Sequence, residues 1–257
     1  MPELEIALRK RRDAGGRCFV PYVTGGLPGV DADLLRRIQE AGADAIEIGI
    51  PFSDPVMDGG VIQEASRRAL EAGTHPRDVL ATIRQARLDV PVAVMTYLNP
   101  VWRRGTERFL REAREAGVAG AIVPDLPIDE ADGWIALCSE TNVAPVFMVA
   151  PGEREDRLRK TAECARGFVY CVAAYGVTGA RDSLASTAGE VVASMRPLTD
   201  LPLLVGVGIG TPEHAREACS FADGVIVGSA LVRLLVDGDR DGAVALAGEF
   251  RRAIPEE

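Results

Sequence analysis

The sequence is poor in the residues that bind zinc or form disulfide frameworks. It has two histidines and five cysteines, which are widely spaced and include no CxxC pair, so no zinc signature is present and no metal site is expected. We expect the cysteines to be small buried residues of a reducing cytoplasm. They are Cys18, Cys138, Cys164, Cys171 and Cys219.

Long apolar runs and basic patches are also missing. No segment approaches the roughly 20 apolar residues of a membrane-spanning helix, and the N-terminal MPELEIALRKRRDAGG has too short an apolar stretch for a signal peptide. The formal net charge is −9 without a long run of like charge, which argues against non-specific binding to nucleic acid or anionic lipid. The composition therefore predicts a cytoplasmic protein that binds neither nucleic acid nor membrane.

Eight short apolar runs rich in valine and isoleucine recur along the chain. They are nearly continuous rather than alternating, as in strands of a parallel sheet that are buried on both faces. The runs are Cys18–Val23, Ala45–Pro51, Val90–Tyr97, Gly120–Leu126, Ala144–Ala150, Gly167–Ala173, Leu201–Gly208 and Asp223–Ser229.

Amphipathic helical stretches separate these strands. They are Ala32–Ala41, Val61–Ala72, Arg77–Arg87, Glu107–Ala116, Glu130–Glu140, Arg154–Ala165, Leu184–Met195, Pro212–Ala218 and, at the C-terminus, about Ala243–Ala253. Alternating strands and helices indicate βαβ units. At about 250 residues, eight such units predict an α/β protein consisting of a single (β/α)₈ TIM barrel over residues 1–257, with extra helices.

Two connections are longer than a barrel requires. Pro51–Gly60 follows strand two, and Ala174–Ser186 follows strand six. Both come at the C-terminal ends of strands, where the active sites of barrel enzymes lie. They are candidates for mobile active-site loops. The segment GGLPG after strand one does not have the GxGxxG spacing of a dinucleotide-binding fold.

Glu47 is a carboxylate in the middle of an apolar strand. If Ile46 and Ile48 point outward to the helices, strand alternation directs Glu47 into the barrel. Burial there raises the pKa of a carboxyl group toward neutrality, which suits general acid–base catalysis. The alternative is a structural Glu that is paired with a backbone group or an Arg.

The loop after the same strand carries two further carboxylates, Asp54 and Asp58. Asp58 precedes Gly59 and Gly60, which allow a tight turn. An Asp on a turn is most often a turn former. On chemistry alone, Asp54 and Asp58 are equally good candidates for a second acid.

Glycines end strands seven and eight in a pattern that is typical of phosphate binding. The loops that follow these strands form the usual phosphate site of barrel enzymes, with a helix N-terminus that favours an anion. Ser229 either donates its hydroxyl to the ligand or caps the helix. The predicted phosphate-binding residues are Gly179, Gly206, Val207, Gly208, Gly228 and Ser229.

Three tyrosines lie in or at the ends of predicted strands. Tyr22, Tyr97 and Tyr170 belong either to the core or to a pocket for a flat aromatic ligand. The histidines, His75 and His214, end no strand, and we expect them at the surface.

These motifs closely resemble the tryptophan synthase α subunit family. The run EIGIPFSDP from Glu47, continued by Asp58-Gly59, resembles the stretch around the two catalytic acids of that family. The likeness runs in order from about residue 5 to residue 250. Its other segments are PYVTGG at 21–26, IQ at 62–63, YGVTG at 175–179, GVGI at 206–209 and GSA at 228–230.

The resemblance implies cleavage of indole-3-glycerol phosphate by a retro-aldol reaction without a metal or a Schiff base. Glu47 would transfer protons to indole C3 and from the C3′ hydroxyl, and Asp58 would stabilise the positive indolenine. Thr178 would support Asp58 when the loop closes, and the glycines and Ser229 named above would bind phosphate. Tyr97 and Tyr170 match positions around the indole.

The resemblance also implies a partner. The family forms an α₂β₂ complex with a β subunit that carries pyridoxal phosphate, so no cofactor is expected on this chain. Pro51, Asp54 and Asn99 would lie at the contact. Three positions depart from the family pattern and alter both loops: Gly60, Ala173 and Tyr175.

The sequence leaves three alternative functions to consider. A stand-alone indole-releasing lyase, or a paralogue in a specialised pathway, would retain both acids. A phosphosugar isomerase or synthase would share the glycine motifs but would not need the pair Glu47 and Asp58. A non-catalytic partner subunit would have lost one of the acids, and both are present.

Overall fold

Eight parallel strands close into a barrel, and their order around the barrel is their order in the sequence. The computed structural model describes residues 1–172, 181–206 and 208–256. All eight predicted strands are confirmed. They are β1 (Cys18–Thr24), β2 (Ile46–Gly49), β3 (Val92–Met95), β4 (Val118–Ile122), β5 (Ala144–Val149), β6 (Val169–Val172), β7 (Leu203–Gly206) and β8 (Gly224–Val227).

Twelve α-helices surround the strands within the described ranges, together with a 3₁₀ helix at Ile128–Glu130. None of these helices is long and apolar enough to cross a membrane. The α-helices are α1 (Glu3–Asp13), α2 (Ala32–Glu40), α3 (Gly60–Glu71), α4 (Pro76–Ala86), α5 (Leu98–Arg104), α6 (Thr106–Glu115), α7 (Asp132–Thr141), α8 (Glu155–Cys164), α9 (Arg181–Met195), α10 (Pro212–Ala218), α11 (Ser229–Val236) and α12 (Arg240–Ala253).

The sequence pattern located nine of these helices and missed α1 and α5; α11 was expected only as a helix start at Ser229. Helix α1 was not predicted because its buried face consists of few residues among many charges, and α5 is only seven residues long. The connection after strand two has the predicted length, since α3 begins at Gly60. The predicted end of the strand-six loop at Ser186 is wrong, because α9 already begins at Arg181.

Helix α1 closes the N-terminal end of the barrel. Leu4 is completely buried, and its side chain occupies the space beside two glycines: a Cβ atom on Gly120 would come within 2.4 Å of Leu4 Cδ2, and one on Gly167 within 2.9 Å. The buried Glu5 accepts a hydrogen bond from the backbone N–H of Gly167 at 3.2 Å. Leu4 and Glu5 of α1 therefore pack against the strands and loops at the base of the barrel.

Two carboxylates also connect strands at this end. Asp44 accepts a hydrogen bond from the backbone N–H of Phe19 at 2.8 Å. Asp223 accepts one from the N–H of Leu203 at 2.8 Å and pairs with Arg196 at 2.7 Å. Charged residues at the N-terminal face thus serve stability, as is usual in barrels, and leave the C-terminal face for chemistry.

Candidate active site

Glu47 lies on β2 with its side chain inside the barrel. Its neighbours in the sheet are Tyr22 on β1 and Ala93 on β3. Residues at the same level of adjacent parallel strands point to the same side, and alternate residues point to opposite sides. Ile46 and Ile48 therefore face the helices, and the placement of Glu47 is the one that strand alternation predicted.

The Glu47 carboxyl group is buried and incompletely paired. Only 1% of the residue is exposed, and its Oε2 atom has no hydrogen-bond partner among the described residues. Burial, reinforced by the nearby charge of Asp58, raises the pKa of Glu47 to about 8. Among the described residues, no Arg contributes to this pKa shift, so the geometry of the described part does not support the structural alternative of an Arg-paired Glu. A carboxyl group with this pKa is largely protonated at neutral pH and can act as an acid.

Asp58 faces Glu47 from the loop that follows β2. Burial raises the pKa of Asp58 to about 6, and a hydrogen bond from the Tyr97 hydroxyl opposes this shift. Tyr97 also accepts a hydrogen bond from the backbone N–H of Met57 at 3.0 Å. Asp54, the other carboxylate of this loop, is exposed, and its side chain accepts a hydrogen bond from the neighbouring Ser53 hydroxyl. The structure thus brings Asp58, and not Asp54, to Glu47.

Packing and hydrogen bonds hold the loop of Asp58 in place. The ring of Phe52 stacks on Tyr97 with 5.1 Å between the ring centroids. The Gln63 side chain donates a hydrogen bond to the backbone carbonyl of Asp58 at 2.8 Å. The expected tight turn at the glycines is wrong: Gly59 has a φ of −71° and Gly60 begins helix α3. Neither conformation requires glycine.

Two of the candidate pocket tyrosines pack against a glycine of the following strand, Tyr22 of β1 against β2 and Tyr170 of β6 against β7. A Cβ atom on Gly49 would lie 2.0 Å from the Tyr22 hydroxyl, and one on Gly206 would lie 2.2 Å from the Tyr170 hydroxyl. Both tyrosines are buried and on the inner face of the barrel. Gly206 therefore provides space for Tyr170, a role that the sequence did not indicate.

The predicted phosphate-binding residues that the structure describes, Gly206, Gly208, Gly228 and Ser229, lie at the C-terminal ends of β7 and β8. Gly208 has a φ of +87°, a conformation that favours glycine. Gly228, which has no side chain, is the N-cap of α11, and Ser229 is the exposed first residue of the helix. The first N–H groups of α11 are thus open to an anion. Of the two predicted roles of Ser229, helix capping is excluded by this geometry.

Several predicted residues lie outside the described part of the chain. They are Val207, Thr178 and Gly179, together with the departures Ala173 and Tyr175.

Neither histidine lies at the end of a strand, and the cysteines form no disulfide. His75 is exposed at the start of α4, and His214 is half-buried in the first turn of α10. All five cysteines are free; four are buried as predicted, and Cys164 is partly exposed. The described residues contain no group of three His, Cys, Asp or Glu side chains that could hold a metal ion.

The candidate contact residues surround the same end of the barrel. Asp54 and Asn99 are exposed, whereas Pro51 is buried in this chain. Two large apolar side chains that the sequence analysis missed are exposed close to them: Val56 on the β2 loop and Trp102 on α5. Exposed apolar side chains next to a site are typical of an interaction surface.

Known proteins resemble this chain over nearly its full length. The sequence profile of the tryptophan synthase alpha chain family matches residues 8–251. The alpha chain of Streptomyces avermitilis is 41% identical, over 98% of this chain and 94% of the relative. The alpha chain of Carboxydothermus hydrogenoformans is 43% identical, over 91% and 90%.

Solved structures have the same fold. Tryptophan synthase from M. tuberculosis in its aminoacrylate-bound form superposes with a TM-score of 0.90 at 35% identity, covering 99% of this chain and all of the other. The alpha chain from Legionella pneumophila gives a TM-score of 0.88 at 33% identity, with 98% and 97% covered. Sequence and structure agree over the whole barrel, and the chain belongs to the tryptophan synthase alpha chain family.

Proposed function

We propose that Glu47 and Asp58 carry out the retro-aldol cleavage of indole-3-glycerol phosphate to indole and glyceraldehyde 3-phosphate. The observation that carries this proposal is the pair of facing carboxyl groups with separated pKa values, about 8 for Glu47 and about 6 for Asp58. At neutral pH the first is mostly protonated and the second mostly ionised. Two carboxyl groups in different environments can serve as acid and as charge stabiliser in one reaction.

Glu47 provides and accepts the protons that the cleavage moves, and Asp58 stabilises the charge that forms. Protonated Glu47 gives its proton to indole C3, and the ring nitrogen becomes part of a cationic indolenine. The Asp58 carboxylate accepts a hydrogen bond from the ring N–H and stabilises the positive charge. Ionised Glu47 then takes the proton of the C3′ hydroxyl, the carbonyl forms, the C–C bond breaks, and its electron pair restores the aromatic indole.

The substrate phosphate would bind at the C-terminal ends of β7 and β8. The net charge of the chain is −9, so an anion is not attracted by the overall field and needs local donors. The open N–H groups of α11 at Gly228 and Ser229, and the backbone at Gly206 and Gly208, supply them. Val207 and Gly179 are further proposed ligands, and Thr178 a proposed support for Asp58.

A Schiff-base aldolase on the same fold is disfavoured by the lysines. The sequence contains two, Lys10 and Lys160. They lie on α1 and α8, outside the barrel interior. The proposed reaction therefore proceeds by proton transfer through carboxyl groups, and no cofactor is proposed on this chain.

A β subunit is the proposed partner, in an α₂β₂ complex in which that subunit carries pyridoxal phosphate. The surface that supports this proposal consists of Asp54, Val56, Asn99 and Trp102, at the same end of the barrel as the acids. Pro51 is buried at the start of the loop that carries Asp54 and Val56, and it would hold this loop in position. Because indole is the product, a contact at this end allows its direct transfer. The alternative without a partner is a stand-alone indole-releasing lyase.

Indole release from indole-3-glycerol phosphate by the purified chain tests the proposal. We expect slow release that rises strongly when a tryptophan synthase β subunit is added. Rapid release without the β subunit would establish the stand-alone lyase. Absence of indole in both assays would overturn the proposed reaction and favour a paralogue that acts on another phosphorylated substrate.

A further inference from the structure

Strand β1 lies between the two parts of the proposed site. The order around the barrel is β8, β1, β2, so β1 pairs with β8 on one side and with β2 on the other. The phosphate is assigned to the end of β8 and the acid Glu47 to β2. The three-carbon chain that joins the phosphate to the indole must therefore cross the end of β1.

The end of β1 presents two hydroxyl groups to the barrel interior. Thr24 pairs with Gly49 and lies two residues beyond Tyr22, on the same face of the strand. The next residue, Gly25, faces the opposite way, because a Cβ atom on it would meet Val79 of helix α4 at 2.5 Å. Thr24 therefore points inward, toward the side of the barrel that contains Glu47.

These hydroxyl groups are buried close to the acids. Tyr22 is 3% exposed; its ring lies 3.5 Å from the Cβ position of Gly228, and its hydroxyl lies beside Gly49. The charges of Asp58 and Glu47 both raise the pKa of Tyr22, in addition to its burial. The side chain of Tyr22 thus extends from the phosphate end of the site to the acids.

Thr24 has an unused hydrogen-bonding group. The residue is completely buried, and its hydroxyl interacts with the Tyr22 hydroxyl, which lowers the pKa of Tyr22. The Oγ1 atom otherwise has no hydrogen-bond partner among the described residues, so part of its bonding capacity is unused. Burial of a hydroxyl whose hydrogen-bonding capacity is not filled is unfavourable. A ligand hydroxyl at this position would remove that penalty. Unlike the buried hydroxyl of Thr96, that of Thr24 faces the barrel interior between the end of β8 and Glu47, where a ligand can reach it.

We propose that Thr24, together with Tyr22, binds the C2′ hydroxyl of the glycerol chain and so selects substrates that carry it. The inference rests on the proposed function, in which Glu47 acts on the neighbouring C3′ hydroxyl. Binding of the C2′ hydroxyl on β1 orients the chain so that the C3′ hydroxyl faces Glu47 on β2. Thr24 is a specificity and positioning residue and takes no part in proton transfer.

The test compares indole-3-glycerol phosphate with its 2′-deoxy analogue, which retains the C3′ hydroxyl that cleavage requires. For the unaltered chain we expect kcat/KM to be about tenfold higher for the natural substrate, the scale of one hydrogen bond with a buried partner. Thr24→Val should remove this preference, because it lacks the hydroxyl but keeps the β-branched shape. Thr24→Ser should keep most of it, and Tyr22→Phe should reduce it partially.

Thr96→Val is the matched control. Thr96 is also buried with an unpartnered Oγ1 among the described residues, but it follows Met95, the partner of Gly49, and so faces the helix layer. Its replacement should leave the preference unchanged. If the unaltered chain cleaves both substrates equally well, or if Thr24→Val retains the preference, the subsite is refuted while the proposed reaction stands. A chain that cleaves neither substrate refutes both.

Discussion

Tyr97, two residues beyond β3, hydrogen-bonds the Asp58 carboxylate on the loop after β2. The same hydroxyl accepts the N–H of Met57 at 3.0 Å, and Phe52 stacks on the Tyr97 ring. One side chain thus positions the loop and also lowers the pKa of its acid against the effect of burial. The environment of Asp58 therefore depends on burial and on a residue that follows a different strand.

The pH profile of kcat/KM should be bell-shaped. Activity requires ionised Asp58 and protonated Glu47, so we expect the acid limb near pH 6 and the alkaline limb near pH 8. Glu47→Gln should lower turnover by about 10²-fold or more and abolish the alkaline limb. Steady-state indole release across pH 5 to 9 measures both effects. Glu140→Gln, an exposed acid on α7, is the control and should resemble the unaltered chain.

Tyr97→Phe should move the acid limb to higher pH. The hydrogen bond from Tyr97 lowers the pKa of Asp58, so its removal raises that pKa and decreases the ionised fraction at pH 6. The loss of kcat/KM should accordingly be larger at pH 6 than at pH 8. An acid limb that does not move would show that this hydrogen bond does not control the ionisation of Asp58.

Glu47 should make the free energy of unfolding depend on pH. In the folded state its pKa is about 8, whereas in the unfolded chain the pKa returns to the ordinary value for glutamate, 4.5. Between these values the folded state holds a proton that the unfolded state has lost, so stability falls as pH rises. Glu47→Gln lacks this effect, and its stability relative to the unaltered chain should increase from about pH 5 to pH 8 and then level off.

Urea unfolding at several pH values checks this dependence. The difference between Glu47→Gln and the unaltered chain is the quantity to follow, with Glu140→Gln as a control that should show no trend. A difference that is constant with pH would contradict a raised pKa of Glu47 in the folded state.

Gly120→Ala should destabilise the barrel base. The added Cβ would come within 2.4 Å of Leu4, which is completely buried. Overpacking of this kind costs about 1–3 kcal/mol. Gly133→Ala on α7 is the matched control, because no atom lies within 4 Å of its Cβ position, and it should be neutral or stabilising. Thermal unfolding measures both variants. A lower Tm for Gly120→Ala alone would show that the loss comes from the clash with α1 and not from glycine replacement in general.

Removal of the phosphate from the substrate should sharply lower kcat/KM, because the substrate binds more weakly. The open N–H groups at Gly228 and Ser229 would then lack their anionic partner. We expect kcat/KM for unphosphorylated indoleglycerol to fall far below that for the phosphate ester. An unchanged specificity constant would exclude this end of the barrel as the phosphate site.

The local pattern of residues determined the strands, most of the helices and the inward direction of Glu47. These features depend on periodicity and burial, which neighbouring residues in the sequence encode. The same pattern, with the family resemblance, identified Asp58 and the glycines after β7 and β8.

Only the tertiary structure decided which groups meet. Contacts between Leu4 and Gly120, between Tyr97 and Asp58, and between Tyr170 and Gly206 join residues that are far apart in the sequence. Closure of the barrel brings them together, and no local signal marks them. For the same reason the sequence could name Glu47 as a buried acid, but its pKa and the unused hydrogen-bonding capacity of the Thr24 hydroxyl follow from the surroundings that the closed barrel creates.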